Sequence, residues 1–140
     1  MGRYCLDASF VLGWLLPAQD TPAANQRWLA FSRQDELLAP ALLWAEVTSV
    51  LHEHAHRARI SRELALDSLQ ALLRLPIGPV HQPEIYHRAF RIAGNLGWSR
   101  AYDAVYLATA EREGAELITL DNGMYLAALR LSVPAALIRS

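Results

Sequence analysis

Four carboxylates stand where a carboxylate is either costly or conspicuous: Asp7, Glu46, Asp103 and Asp121. Asp7 follows the apolar run Tyr4-Cys5-Leu6, which reads as a short buried strand, at a turn into the apolar stretch Phe10 to Leu16. Asp121 ends Leu117-Ile118-Thr119-Leu120, the clearest of the later strands. Helical spacing places Glu46 with Leu42, Leu43 and Val50, and places Tyr106, Leu107 and Ala110 after Asp103, so both acids are expected on inward helix faces. Each has a local explanation: Asp7 a helix cap, Glu46 an arginine partner, Asp103 a first-turn acid, Asp121 a turn former. Brought together, the four would repel, and some would protonate unless a divalent cation neutralised them. Oxygen donors with no thiolate among them point to Mg²⁺ or Mn²⁺.

A second constellation competes. His52-Glu53-His54-Ala55-His56 matches the H-E-x-x-H pattern of zinc hydrolases on a predicted helix. Its histidines fall in the last, polar turns before Arg57 and Arg59, where histidine also suits the negative helix end. A third ligand would have to come from His81, Glu84 or His87, none at a recognisable spacing.

The elements that must position these groups alternate along the chain. After the first strand and helix, Thr21-Pro22 opens a helix with Ala24, Trp28 and Phe31 on one face. Leu37-Leu38-Ala39 reads as a second strand, and Ala41 to Arg57 as a long helix with Leu43, Val47, Val50 and Leu51 inward. Ser61 caps a helix carrying Ala65, Leu69 and Leu72, which Pro76 ends. Ile77 to Val80 is a third strand, pushed to a sheet edge by Gly78 and Pro79. Pro83 opens a helix stopped by Gly97, Ser99 caps the next, which runs to Gly114, and Asp121-Asn122-Gly123 makes a turn. Met124 to Arg130 gives a short helix and Val133 to Ile138 a last strand. Short apolar strands alternating with helices predict an α/β fold with a mostly parallel sheet of four to five strands, covered on both faces. In such a sheet the carboxyl ends of the strands and the first turns of the following helices share one edge, where the four acids can meet.

Composition bounds the rest. The chain has 140 residues, enough for one domain over residues 1–140, and 53% apolar content is ample for a core. No apolar run approaches a membrane span, and the first residues lack the pattern of a secretory signal, so a soluble cytoplasmic protein is expected. Cys5 has no second cysteine to pair with and is expected in the core. The net charge of −1 argues against a strongly positive, generic nucleic-acid binder. All thirteen basic residues are arginine, a residue suited to phosphate, although genome composition can produce the same bias. Arg100, just ahead of Asp103, is the first candidate for a phosphate contact, with Arg88 and Arg91 behind it.

The segments Leu6-Asp7-Ala8-Ser9, Trp44-Ala45-Glu46-Val47, Tyr102-Asp103-Ala104-Val105-Tyr106-Leu107-Ala108 and Leu117-Ile118-Thr119-Leu120-Asp121 together resemble PIN-domain ribonucleases, specifically the VapC-type toxins of toxin–antitoxin pairs. The resemblance implies an α/β/α sandwich and Mg²⁺-dependent cleavage of RNA at Asp7, Glu46, Asp103 and Asp121. It implies supporting roles for Ser9 and Thr119, a homodimer, and a cognate antitoxin whose tail fills the acidic groove. Asn122-Gly123 departs from the family's pattern after the last acid, where a charged residue is common. A non-enzymatic alternative keeps the fold and uses the groove to bind a protein partner through Phe10, Trp14, Trp44 and Trp98.

Overall fold

The computed structural model describes residues 1–17 and 21–139. The elements are β1 (Arg3–Leu6), α1 (Ala8–Leu15), α2 (Thr21–Leu29), β2 (Glu36–Pro40), α3 (Leu42–His56), α4 (Arg62–Arg74), β3 (Gly78–Val80), α5 (Pro83–Leu96), α6 (Tyr102–Glu113), β4 (Glu116–Thr119), α7 (Asn122–Arg130) and β5 (Ala135–Leu137). α2 starts at Thr21 with Pro22 in its first turn, and Thr21 Oγ1 donates to Leu16 O at 2.8 Å.

Five strands form one sheet in the order β3-β2-β1-β4-β5, and every pairing is parallel. The all-parallel arrangement requires helical crossovers, and right-handed crossovers place α1 to α4 on one face and α5 with α6 on the other. Contacts agree: α1 meets α3 and α4, whereas α6 lies across β1, β2 and β4. Strands buried on both faces read as apolar runs, and Cys5, Leu6, Leu38, Leu117 and Ile118 are all in the core. α6 carries an unbroken buried run from Ala104 to Ala110, because α5 covers the side that the sheet does not. β3 is an edge strand, as Pro79 requires.

Several local boundaries differ from the sequence reading. Ser99 caps nothing: α6 starts at Tyr102 behind Ala101, and Arg100 therefore lies in the connecting loop. Asp121-Asn122-Gly123 is a helix start, in which Asp121 caps α7 by accepting from Gly123 N and Met124 N. Phe10 is fully buried and packs near Trp28 and Phe31, so it belongs to the core and offers nothing to a partner surface. Trp14 stacks on Trp28 at a centroid distance of 4.9 Å.

The register positions the site. Leu6 pairs with Ile118 across β1 and β4, so the residues that follow, Asp7 and Thr119, are level at the carboxyl edge. β1 is connected through helices to β2 on one side, whereas its other neighbour, β4, is reached from the far edge of the sheet. The edge between β1 and β4 is thus the switch point of the topology, where open parallel sheets leave a crevice.

Candidate active site

Asp7 is the buried centre of that crevice, 2% exposed. Its Oδ1 accepts from Ser9 Oγ at 2.8 Å and from Phe10 N at 3.0 Å, and its Oδ2 accepts from Thr119 Oγ1 at 2.6 Å. Asp7 is therefore the N-cap of α1, as the local explanation held. That role fixes the carboxylate and does not use up its charge. Ser9 and Thr119 extend the network: Leu120 N donates to Ser9 Oγ at 2.9 Å, and Asp121 N donates to Thr119 Oγ1 at 3.0 Å. Burial pushes the Asp7 carboxyl up to about 6, against the opposing pull of the Thr119, Phe10 and Ser9 bonds, and Asp121 adds to the rise.

Glu46 projects from the second turn of α3 and Asp103 from the first turn of α6, both at the same sheet edge. With Asp7 and Asp121 they line one cleft of about 230 Å³, which Ser9 and Tyr106 also reach. Glu46 is half-buried, and burial raises its pKa, opposed by Tyr106 and reinforced by Asp103. Its Oε1 is buried without a hydrogen-bond partner among the described residues; the Tyr106 hydroxyl is a neighbour but does not meet hydrogen-bond geometry. Asp103 differs from expectation, since it lies exposed on the cleft rim and not on a buried helix face. Its carboxyl is nonetheless held above the usual range, first by desolvation in the cleft and then by Asp121. Asp121 also lines the cleft and is exposed, with Oδ1 engaged by the start of α7.

Three carboxylates raised first by burial and then by a neighbouring acid, with one orphaned buried oxygen, make this a place that lacks positive charge. A hard divalent cation fits it: such ions take oxygen donors, bind through one or two carboxylates and keep several waters. Among the described residues no three His, Cys, Asp or Glu side chains stand close enough together to enclose one ion.

A second cleft of about 600 Å³ adjoins the first at Glu46 and Asp103 and is lined by Trp98, Arg100 and Tyr102. Arg100 is exposed there. Arg88, by contrast, is held in a two-pronged ion pair with Glu111, Nε to Oε1 at 2.8 Å, away from the acids. Arg91 is exposed on α5 and lines neither cleft.

The histidine motif resolves into a helix surface. His52 and His56 stack with ring centroids 6.0 Å apart on the α3–α4 groove, while Glu53 pairs with Arg57 at 3.4 Å. His81, one of the possible third ligands, bonds the Tyr86 hydroxyl through Nδ1 at 2.8 Å instead. Neither structure nor spacing favours a zinc hydrolase. Sequence reasoning passed over Tyr106 as core; its signal was a hydroxyl one helical turn beyond Asp103.

The match to known proteins follows the same residues. Residues 4–129 match the PIN domain, and the matched stretch spans all four acids. The chain belongs to the PIN-domain family. Within it, the chain is similar to Ribonuclease VapC3 of Pyrobaculum aerophilum, 32% identical over 122 residues that cover 86% of this chain and 90% of that protein. Its fold is shared with VapBC-1 from nontypeable Haemophilus influenzae, at a TM-score of 0.69 and 14% identity over 96% of this chain and 97% of that one. It is shared also with VapC20 of Mycobacterium tuberculosis, described as a sarcin-ricin loop cleaving toxin, at a TM-score of 0.70 and 14% identity over 89% and 94%. Among the described residues no helix is long and apolar enough to cross a membrane.

Proposed function

We propose that the chain is an endoribonuclease dependent on Mg²⁺ or Mn²⁺, acting as the toxin of a type II toxin–antitoxin pair in the cytoplasm. The observation that carries this reading is the meeting of Asp7, Glu46, Asp103 and Asp121, from four separate elements, in one cleft at the sheet's switch point. The kinship with a VapC ribonuclease supports the choice of RNA as substrate.

In this reading a divalent ion, when bound, supplies the Lewis acidity that activates water and neutralises charge at the scissile phosphate. The chain's own residues hold and aim. Asp7 is the rigid ligand: three hydrogen bonds lock it at the cleft it lines, and they leave its carboxylate acceptor capacity to spare. Glu46 brings a half-buried carboxylate to the cleft, and Asp103 and Asp121 close the rim where water still has access. Arg100 holds a neighbouring phosphate through its planar fork, which fixes the register of the RNA across the acids.

A partner fits the same chemistry. An antitoxin tail carrying a basic residue would satisfy the clustered carboxylates and exclude RNA, and a homodimer would bury part of the chain's exposed apolar surface. The purified protein should cut a labelled RNA internally in Mg²⁺ and leave it whole in EDTA. Failure to cut both unstructured and hairpin RNAs in either metal would contradict the nuclease, and a monomer by light scattering at micromolar concentration would contradict the dimer.

A further inference from the structure

Two buried polar atoms face the acid cleft with nothing bonded to them among the described residues: the Tyr106 hydroxyl and Glu46 Oε1. One is a donor and the other an acceptor. Both residues line the small cleft that holds Asp7 and Asp103. Burial first, and the Glu46 charge after it, push the Tyr106 phenol up, so the two groups are neighbours. A phenol is in any case protonated at neutral pH and can only donate to a carboxylate.

The two differ in freedom. Tyr106 is 1% exposed in the middle of α6, a helix pinned across β1, where its carbonyl faces the Cys5 thiol at 3.9 Å. Its ring has no room to leave. Glu46 is half-buried on α3 and has three rotatable side-chain bonds. A phenol placed this deeply carries a desolvation cost that phenylalanine would avoid at the same volume. A partner for the hydroxyl offsets that cost, and the acceptor beside it is Oε1.

We propose that Tyr106 is a positioning residue for Glu46: its hydroxyl donates a hydrogen bond to Oε1 and thereby turns Oε2 toward the space shared with Asp7 and Asp103, where a divalent cation binds. The assignment rests on the reading above in one respect, that this cleft takes such a cation. It does not need the substrate to be RNA. Partners that orient a metal's ligands are commonly worth about 10- to 100-fold in affinity or activity.

The test compares wild type, Tyr106→Phe, Glu46→Gln and the double variant. Mn²⁺ affinity is read by electron paramagnetic resonance without RNA, cleavage of labelled RNA in Mg²⁺ is read separately, and melting is followed in EDTA. Tyr106→Phe should weaken Mn²⁺ binding about tenfold while melting no lower than wild type in EDTA. The double variant should bind Mn²⁺ no worse than Glu46→Gln alone, because the hydroxyl then has no ligand to aim. Wild-type Mn²⁺ affinity in Tyr106→Phe, or losses that multiply in the double variant, would overturn the assignment. If Tyr106→Phe melts early, wild-type protein carrying ¹³C at tyrosine Cζ decides: Mg²⁺ should shift the Tyr106 resonance, and an unmoved resonance overturns the proposal. Coupled Mn²⁺ binding without any RNA cleavage would sink the nuclease reading and leave Tyr106 in place; no Mn²⁺ binding at all would sink both.

Discussion

Thr119 Oγ1 donates a 2.6 Å hydrogen bond to Asp7 Oδ2, joining residues 112 positions apart at the ends of two adjacent parallel strands. The same oxygen accepts from Asp121 N at 3.0 Å, so one hydroxyl ties the buried acid to the backbone of the rim acid. Thr119 has no exposed surface.

Replacing that hydroxyl should therefore cost stability and activity together. Thr119→Val keeps the shape but leaves Asp7 Oδ2 and Asp121 N unpaired, a loss of about 1–3 kcal/mol for a buried polar group. Chemical denaturation should show a lowered midpoint with unchanged slope, and RNA cleavage should fall. Unchanged stability would mean that the bond contributes nothing.

The buried acid also makes a statement about pH. The Asp7 carboxyl sits near 6 in the folded chain, against about 3.9 when unfolded. Between those values the folded protein binds more protons than the unfolded chain, so metal-free stability falls as pH rises through that window. Above it, the ionised carboxylate costs about 3 kcal/mol, taking ~2 units at 1.36 kcal/mol each. Asp7→Asn removes this titration. In EDTA the variant should gain on wild type in melting temperature from about pH 4 to about pH 7, and Mg²⁺ should narrow the gap. A gap that does not change with pH would contradict the burial argument.

Arg100 stands in the loop before α6, at the mouth of the cleft that adjoins Glu46 and Asp103. Arg100→Ala should weaken RNA binding and reduce the slope of log affinity against log salt by about 1. Its melting temperature should match wild type, because the side chain is exposed. An unchanged salt slope removes Arg100 from the RNA path.

The sheet and the meeting place of the acids were legible because they follow from pattern and chain direction. Apolar runs such as Cys5-Leu6 and Leu117-Ile118 belong to strands buried on both faces, and parallel strands bring their carboxyl ends to one edge. What was not legible depended on competition between equivalent local signals. Asp121-Asn122-Gly123 is a sequence for a turn and equally for a helix cap, and the packing of Met124, Ala127 and Ala128 decides for the helix. Ser99 is as good a cap as any, yet α6 begins three residues later, at Tyr102. Helical periodicity placed Asp103 inward, but burial along α6 begins only at Ala104, and in the first turn Tyr102 and Asp103 meet solvent. Arg88 is taken by Glu111, a pairing across two helices that spacing within one helix cannot reveal.

Metal add-back tests the carboxylate site most directly. Labelled RNA is incubated with chelated wild-type protein, Asp7→Asn and a His52→Ala/His56→Ala double variant, each resupplied with Mg²⁺, Mn²⁺ or Zn²⁺. Mg²⁺ or Mn²⁺ should restore cleavage to wild type and to the histidine variant, while Asp7→Asn, still folded, should recover little or no cleavage in any metal. Restoration by Zn²⁺ alone, with the histidine variant dead and Asp7→Asn at the wild-type rate, would contradict a nuclease built on Asp7, Glu46, Asp103 and Asp121.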